Sequence, residues 1–208
     1  MNRLKIYKIV LACLILSIIV VGSAIITKYI KEYKNEKATK QVLTNINEKF
    51  NNDELENKNL DDNNANQIIK EIDEKINGHK VVGIINIPEV NLKYPILETT
   101  TEETLNLSIT KFWGKEINEI GNVTLAGHNN LSGVMFGKIK NLKIGDVIEL
   151  TDIQNVTLKY EIFKTYVIDP NDISCILPEN ESTREVTLIT CTKGGNNRYI
   201  VKAREIEN

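Results

Sequence analysis

The sequence predicts a mostly β protein: a closed or nearly closed all-β domain with short connecting helices, preceded by an N-terminal transmembrane helix and a stalk. Three observations carry this. Ile9 to Thr27 is a run of 19 residues without a charge. Near Val81 the composition changes from a polar stretch rich in Asn, Lys, Glu and Asp to β-branched and aromatic runs. From there on, short strand-like runs alternate with turn signals, the pattern of a small closed β domain.

The apolar run is long enough to span a hydrocarbon core at ~1.5 Å per residue. Arg3, Lys5 and Lys8 precede it. It exceeds the ~7–15 residues of a signal-peptide core, and no clear small-x-small cleavage site follows, so it reads as an uncleaved signal anchor over 9–27. Lys28, Lys31, Lys34, Lys37 and Lys40 follow it, so charge alone does not orient it. A short segment 1–8 ahead of a domain of ordinary size favours N-inside, C-outside. The alternative is a buried core helix, but few soluble helices are apolar on all sides for this length.

Residues 28–80 read as a stalk, mostly a solvated linker. Val42, Leu43, Ile46 and Phe50 have helical spacing, as do, more weakly, Ile68 or Ile69, Ile72 and Ile76. Such a helix could dock back onto the domain, with the polar Asn51–Asn66 stretch loose between the two. The domain itself is assigned to 81–208, about 128 residues, enough for one core. Strands are predicted at Val81–Ile87, Leu92–Leu97, Asn122–Ala126, Asp146–Leu150, Val156–Ile168, Glu185–Cys191 and Arg198–Ile206. The turn signals between them are Pro88, Gly121, Asn129-Asn130, Gly145-Asp146 and Asp169-Pro170-Asn171-Asp172. Glu102–Leu107 and Gly133–Ile139 fit short helices in the connections. Trp113, the one tryptophan, is expected in the core or lining a groove.

A net charge of −2 supplies no basic field for nucleic acid. Phosphate-loop, CxxC and HExxH patterns are missing from the sequence, which leaves cofactor and zinc readings without support. The acidic pairs Asp169 with Asp172 and Glu179 with Glu181 offer a calcium alternative, although loop carboxylates usually face water.

The chemistry concentrates at Thr187-Leu188-Ile189-Thr190-Cys191 and Arg198. The intervening Thr192–Asn197 carries Gly194-Gly195 and Asn196-Asn197, residues that tolerate the positive φ of a tight return, so the segment reads as a hairpin. A symmetric loop sets Cys191 opposite Arg198 and Glu185 opposite Arg204. Alternation then puts Glu185, Thr187, Ile189, Cys191, Arg198, Ile200, Lys202 and Arg204 on an outer, wetter face. Val186, Leu188, Thr190, Tyr199, Val201 and Ala203 fall on the other face, mostly apolar and facing the core. A cation beside a thiol favours the nucleophilic thiolate and could equally donate to an oxyanion. Of the two histidines, His128, at the end of Val123–His128, is a better acid–base partner than His79 in its polar stretch. Blander readings stand beside these: a Cys175–Cys191 disulfide, a satisfied loop histidine at 128, and an Arg198 paired with a surface carboxylate.

Thr124-Leu125-Ala126-Gly127-His128-Asn129, then Thr187–Cys191, then Arg198 in a strand together resemble the signature elements of sortases, membrane-anchored cysteine transpeptidases of Gram-positive bacteria. Gly83–Pro88, Tyr94–Leu97, Met135–Ile139 and Leu142–Asp146 match in order, and the resemblance covers about 81–206. No single motif would suffice; the ordered set is specific.

The resemblance implies an eight-stranded barrel with a groove on it. Cys191 would attack the Thr–Gly bond of an LPxTG-like sorting signal of surface proteins or pilins, forming a thioacyl enzyme. His128 would protonate the leaving amine, and Arg198 would hold the substrate and oxyanion. Thr190, Asn129 and Ala126 would contact substrate. The acceptor would be an amine of a peptidoglycan precursor or a pilin lysine, with the domain outside the cell membrane. A short span from Ile168 to Glu185, no hydrophobic segment after Ile206 and no evident lid motif ahead of the barrel favour a class A-like or class D-like member. A hydrolase with the same residues, or a non-catalytic wall-binding domain, are the alternative functions.

Overall fold

The computed structural model describes residues 3–57, 74–130 and 132–206, which fall into two compact units, Met1–Lys37 and Ala38–Asn208. Helix α1 (Arg3–Asn57) begins in the first. There its apolar side chains, from Ile9 through Ile26, are exposed on every side, and its uncharged run is long and apolar enough to cross a membrane. Water does not tolerate that much apolar surface on one isolated helix.

The second unit contains the rest of α1 and nine strands. These are β1 (Lys75–Ile76), β2 (His79–Ile87), β3 (Leu92–Leu97), β4 (Ile109–Gly114), β5 (Gly121–Ala126), β6 (Val147–Asp152), β7 (Thr157–Ile168), β8 (Arg184–Cys191) and β9 (Arg198–Glu205). The order β2-β3-β4-β5-β8-β9-β7-β6 closes through pairing of β6 with β2, giving an eight-stranded barrel. β1 is a two-residue addition paired with the start of β2. Closure leaves no long open edge. Inside lie side chains from every barrel strand, among them Ile85, Ile96, Leu125, Ile148, Tyr160 and Leu188. The Tyr160 hydroxyl donates to Asn118 Oδ1 at 3.0 Å, which satisfies the one polar atom this ring brings inward.

The seven predicted strands are all present, with boundaries within two residues. The two strands not predicted are the two-residue β1 and, within the barrel, β4. Its Phe112 and Trp113 are exposed and a bulge between Lys111 and Trp113 breaks its register, so no period-2 pattern marks it. Trp113 is accordingly not a core residue. α2 (Glu102–Leu105) forms as expected, started by a capping box in which the Thr101 side chain accepts from Thr104 N. The second predicted helix is a 3-10 turn at Phe136–Asn141.

The stalk expectation needs correction. α1 continues without interruption through Asn57, so 51–57 is helical rather than loose. Ile46 is fully buried, and Val42, Leu43 and Phe50 pack with it against Ile76, Val81, Ile84, Leu97 and Leu107, a second apolar cluster on the barrel's outside. Thr39 Oγ1 donates to Leu107 O at 2.9 Å, and Lys49 pairs with Glu74. The folded unit therefore starts near Ala38, not Val81, and its first element is a docked helix. Ile76 belongs to β1; the expected stripe at Ile68, Ile69 and Ile72 lies outside the described residues. Ile46→Ala is expected to lower the stability of the Ala38–Asn208 unit by about 2–4 kcal/mol, read from its urea midpoint. An unchanged midpoint would mean the docked helix adds nothing to the fold.

Candidate active site

The site forms where β5 and β8 end. These strands pair in parallel, Ala126 with Ile189, at an offset of 63 residues. Past the last pair the same offset sets Gly127 beside Thr190, and His128 and Cys191 come next at that end of the sheet. Two bonds extend the ladder past the strand end: Gly127 N donates to Ile189 O at 3.3 Å, and Thr190 Oγ1 donates to Gly127 O at 2.7 Å. A third ties the next residue, as Asn129 Nδ2 donates to Cys191 O at 2.7 Å. Gly127 is required by packing. A Cβ there would meet Phe136 at 2.8 Å and Ile109 at 2.9 Å, inside van der Waals contact. Phe136 N in turn donates to His128 O at 3.1 Å, holding the histidine's backbone from the other side.

The β8–β9 hairpin follows the predicted register, with Cys191 opposite Arg198 and Glu185 opposite Arg204. Its loop is closed by Thr192 N to Asn197 O at 2.9 Å, with positive φ at Gly194 and Gly195 but not at the asparagines. Arg198 donates from Nη1 to the carbonyls of Gly195 and Asn197, at 3.1 and 3.3 Å. Among the described residues it pairs with no carboxylate; its guanidinium bonds to carbonyls of its own loop. Cys191, His128 and Arg198 are all half-buried.

The predicted faces hold for the core side: Val186, Leu188, Val201 and Ala203 are fully buried in the barrel. The other face is not wet along its length. Glu185, Thr187, Ile200 and Lys202 are buried too, because the β7–β8 connection (169–183) lies over them. The charges are satisfied beneath it. The Glu185 carboxylate accepts from Glu179 N at 2.8 Å, Asn180 N at 3.2 Å and Arg204 Nη2 at 2.9 Å. Lys202 Nζ donates to Leu177 O at 2.7 Å. Farther along, Thr187 Oγ1 donates to Cys175 O and Asn122 Nδ2 to Ile176 O. The cover ends there. On the same face, Thr124 and Thr187 are sealed, whereas Ala126, His128, Ile189 and Cys191 are half-exposed. The result is a window with an apolar floor, Ala126 and Ile189, running up to the thiol and imidazole.

Of the three expected substrate contacts, Ala126 lies on that floor. Thr190 does not: it is 4% exposed and its hydroxyl is committed to Gly127 O, so it joins the strand ends instead. Asn129 has its amide committed to the Cys191 carbonyl. His79 lies at the start of β2, 3.5 Å from Glu103, remote from β8. Trp113 lines a separate cleft of about 770 Å3 with Ile120, Asn122, Leu177 and Pro178. That cleft is at the opening end of β5, six residues or roughly 20 Å from His128 at ~3.3 Å per strand residue.

Cys175 and Cys191 are both free thiols. The Cys175 carbonyl bonds Thr187, four residues before Cys191, or roughly 13 Å along the strand, beyond disulfide reach. Burial, then the Asp172 carboxylate, push the Cys175 thiol up from its ordinary range. Three of the four carboxylates raised for calcium have protein partners: Asp169 and Asp172 accept from the turn amides of Asn171 and Ser174, and Glu179 pairs with Lys164. Among the described residues, no three His, Cys, Asp or Glu side chains gather as a metal-holding group.

Comparison with known proteins agrees with this geometry. Residues 85–206 match the family model for the sortase domain. The chain is 32% identical over 207 residues to sortase A of Bacillus anthracis, covering 97% of this chain and 95% of that one. It is similar to a solved sortase D5 transpeptidase of Clostridium perfringens, with a TM-score of 0.56 and 31% identity over 62% of this chain and 80% of that one. It is also similar to the solved sortase A of Listeria monocytogenes, with a TM-score of 0.55 and 29% identity over 61% and 88% of the two chains.

Two outcomes test the site's architecture. Iodoacetamide with peptide mapping should label Cys191 first and Cys175 only on unfolding; equal labelling would contradict the difference in burial. Glu185→Ala takes the acceptor from Arg204 and from the amides of Glu179 and Asn180, leaves Lys202 only the Glu179 carboxylate at 3.5 Å, and should cost about 3 kcal/mol in chemical denaturation.

Proposed function

Because this chain belongs to the sortase family of cysteine transpeptidases, we propose that Cys191, His128 and Arg198 cleave an LPxTG-like sorting signal and join its carboxyl side to an amine. What supports this reading is the parallel β5–β8 pairing, whose last pair is Ala126 with Ile189, so that the segments carrying His128 and Cys191 leave the same end of the sheet, while the hairpin pairs Cys191 with Arg198.

The Cys191 thiolate bonds to the threonine carbonyl carbon of the signal. Arg198 donates to the oxyanion as it forms. The Thr–Gly C–N bond breaks, and His128 gives its proton to the departing glycine amine. A thioester to Cys191 remains. An incoming amine, from a cell-wall precursor or a pilin lysine, attacks the same carbon, His128 takes its proton, and the C–S bond breaks to restore the thiolate. Residues 9–27 anchor the chain in the cell membrane with the barrel outside. This reading draws on the exposed apolar surface of α1.

Wild-type protein and Cys191→Ala are to be incubated with a fluorogenic LPxTG peptide, with and without a glycine-based amine, and the products weighed. The expected result is an amine-linked product that needs Cys191. Free acid alone, with the amine present, would make the enzyme a hydrolase. Arg198→Lys should lose at least about 100-fold in kcat/KM, since a point charge cannot reproduce a planar fork. Near-wild-type turnover would remove Arg198 from the mechanism.

A further inference from the structure

Asn129 follows the proposed acid–base histidine, and its side chain does not face the window. It reaches across from the end of β5 to the end of β8 and donates to the backbone carbonyl of Cys191 at 2.7 Å. In the antiparallel hairpin Thr192 and Asn197 form a hydrogen-bonded pair, so the adjacent Cys191–Arg198 pair is of the non-bonded kind and the Cys191 carbonyl turns away from β9. The hairpin resumes one residue later, with Thr192 N bonded to Asn197 O, and the β5 ladder stops at Gly127. Without Asn129, the peptide unit that carries Cys191 would be bonded on one side only. Asn129 is itself fixed by a bridge to Met135 and by Phe136 N bonded to the preceding carbonyl, His128 O. Its amide therefore acts from an anchored backbone.

We propose that Asn129 is a positioning residue: its amide clamps the Cys191 carbonyl and so fixes the thiol against the imidazole one residue away. This rests on the assignment of Cys191 and His128 above. Sγ is three bonds from the Cys191 carbonyl carbon, so a shift of that peptide unit carries Cα and the sulfur with it. A displacement of about 1 Å between reacting groups costs on the order of 100-fold in rate. One neutral hydrogen bond contributes only about 1 kcal/mol to stability, so its loss disturbs the geometry far more than the fold. Asn129 also shares its chain segment with His128, so the clamp sets both groups at once.

The test compares Asn129→Asp, Asn129→Ala and Asn129→Gln in the full-length protein in detergent, with Cys191→Ala alongside. Asp matches Asn in shape but presents only acceptors to the carbonyl; Gln restores the donor on a longer arm. With the LPxTG peptide, Asp and Ala should lower kcat by about 10–100-fold with KM within about twofold, and Gln should recover part of the loss. Iodoacetamide, which needs no peptide, should label Cys191 several-fold more slowly in Asp and Ala than in wild type, with Gln between. A raised KM at unchanged kcat would make Asn129 a substrate contact and overturn the clamp. So would wild-type kcat and labelling in Asp, because shape alone would then suffice. Turnover by Cys191→Ala would overturn the site assignment and the clamp together, whereas an inactive Cys191→Ala beside an unaffected Asn129→Asp would overturn the clamp alone.

Discussion

Everything at this site depends on two strands that run the same way. Parallel neighbours end at the same edge of a sheet, so whatever follows each of them is delivered to one place. β5 delivers Gly127-His128-Asn129 and β8 delivers Cys191. An antiparallel pairing of the same two segments would put the imidazole at one end and the thiol at the other. The bonds beyond the ladder, from Thr190 to Gly127 O and from Asn129 to Cys191 O, extend this registration by two residues into backbone that has left the sheet. The glycine before the histidine is what lets Phe136 and Ile109 close underneath.

The second constraint is the cover over the barrel's outer face. A fully buried carboxylate is unfavourable unless its oxygens are occupied. Glu185 meets two backbone amides of the β7–β8 connection and the Arg204 guanidinium, and the neighbouring Lys202 bonds back to Leu177 O. The connection is thereby pinned at its far end, and the outer face stays open only over Ala126, Ile189, His128 and Cys191. One charge cluster, remote from the thiol, thus decides where the groove begins.

The hairpin was legible in the sequence because its loop is short, glycine-bearing and symmetric, so pairing Cys191 with Arg198 needed only counting. The cover was not. Glu185, Lys202 and Arg204 read as a wetted face because each is charged; the burial of Glu185 and Lys202 depends on the β7–β8 connection, which carries no pattern that marks it as a cover. β4 escaped because Phe112 and Trp113 are both exposed and a bulge spoils the alternation. The docked part of α1 showed its stripe at Val42, Ile46 and Phe50. The polar residues around that stripe read as linker, since nothing local says that Ile84 and Leu97 leave apolar surface outside the barrel. For Asn129 and Thr190 the motif pointed to substrate, whereas their side chains bond across the sheet to Cys191 O and Gly127 O.

The separation of 63 residues between β5 and β8 has a further consequence, for the order of events as the chain matures. Contacts between distant segments form late, after the loop-closure entropy has been met by the rest of the barrel. Imidazole and thiol therefore meet only when the intervening β6 and β7 have found their places. In a nascent or partly folded chain the two residues lie apart, and the proposed chemistry belongs to the finished barrel.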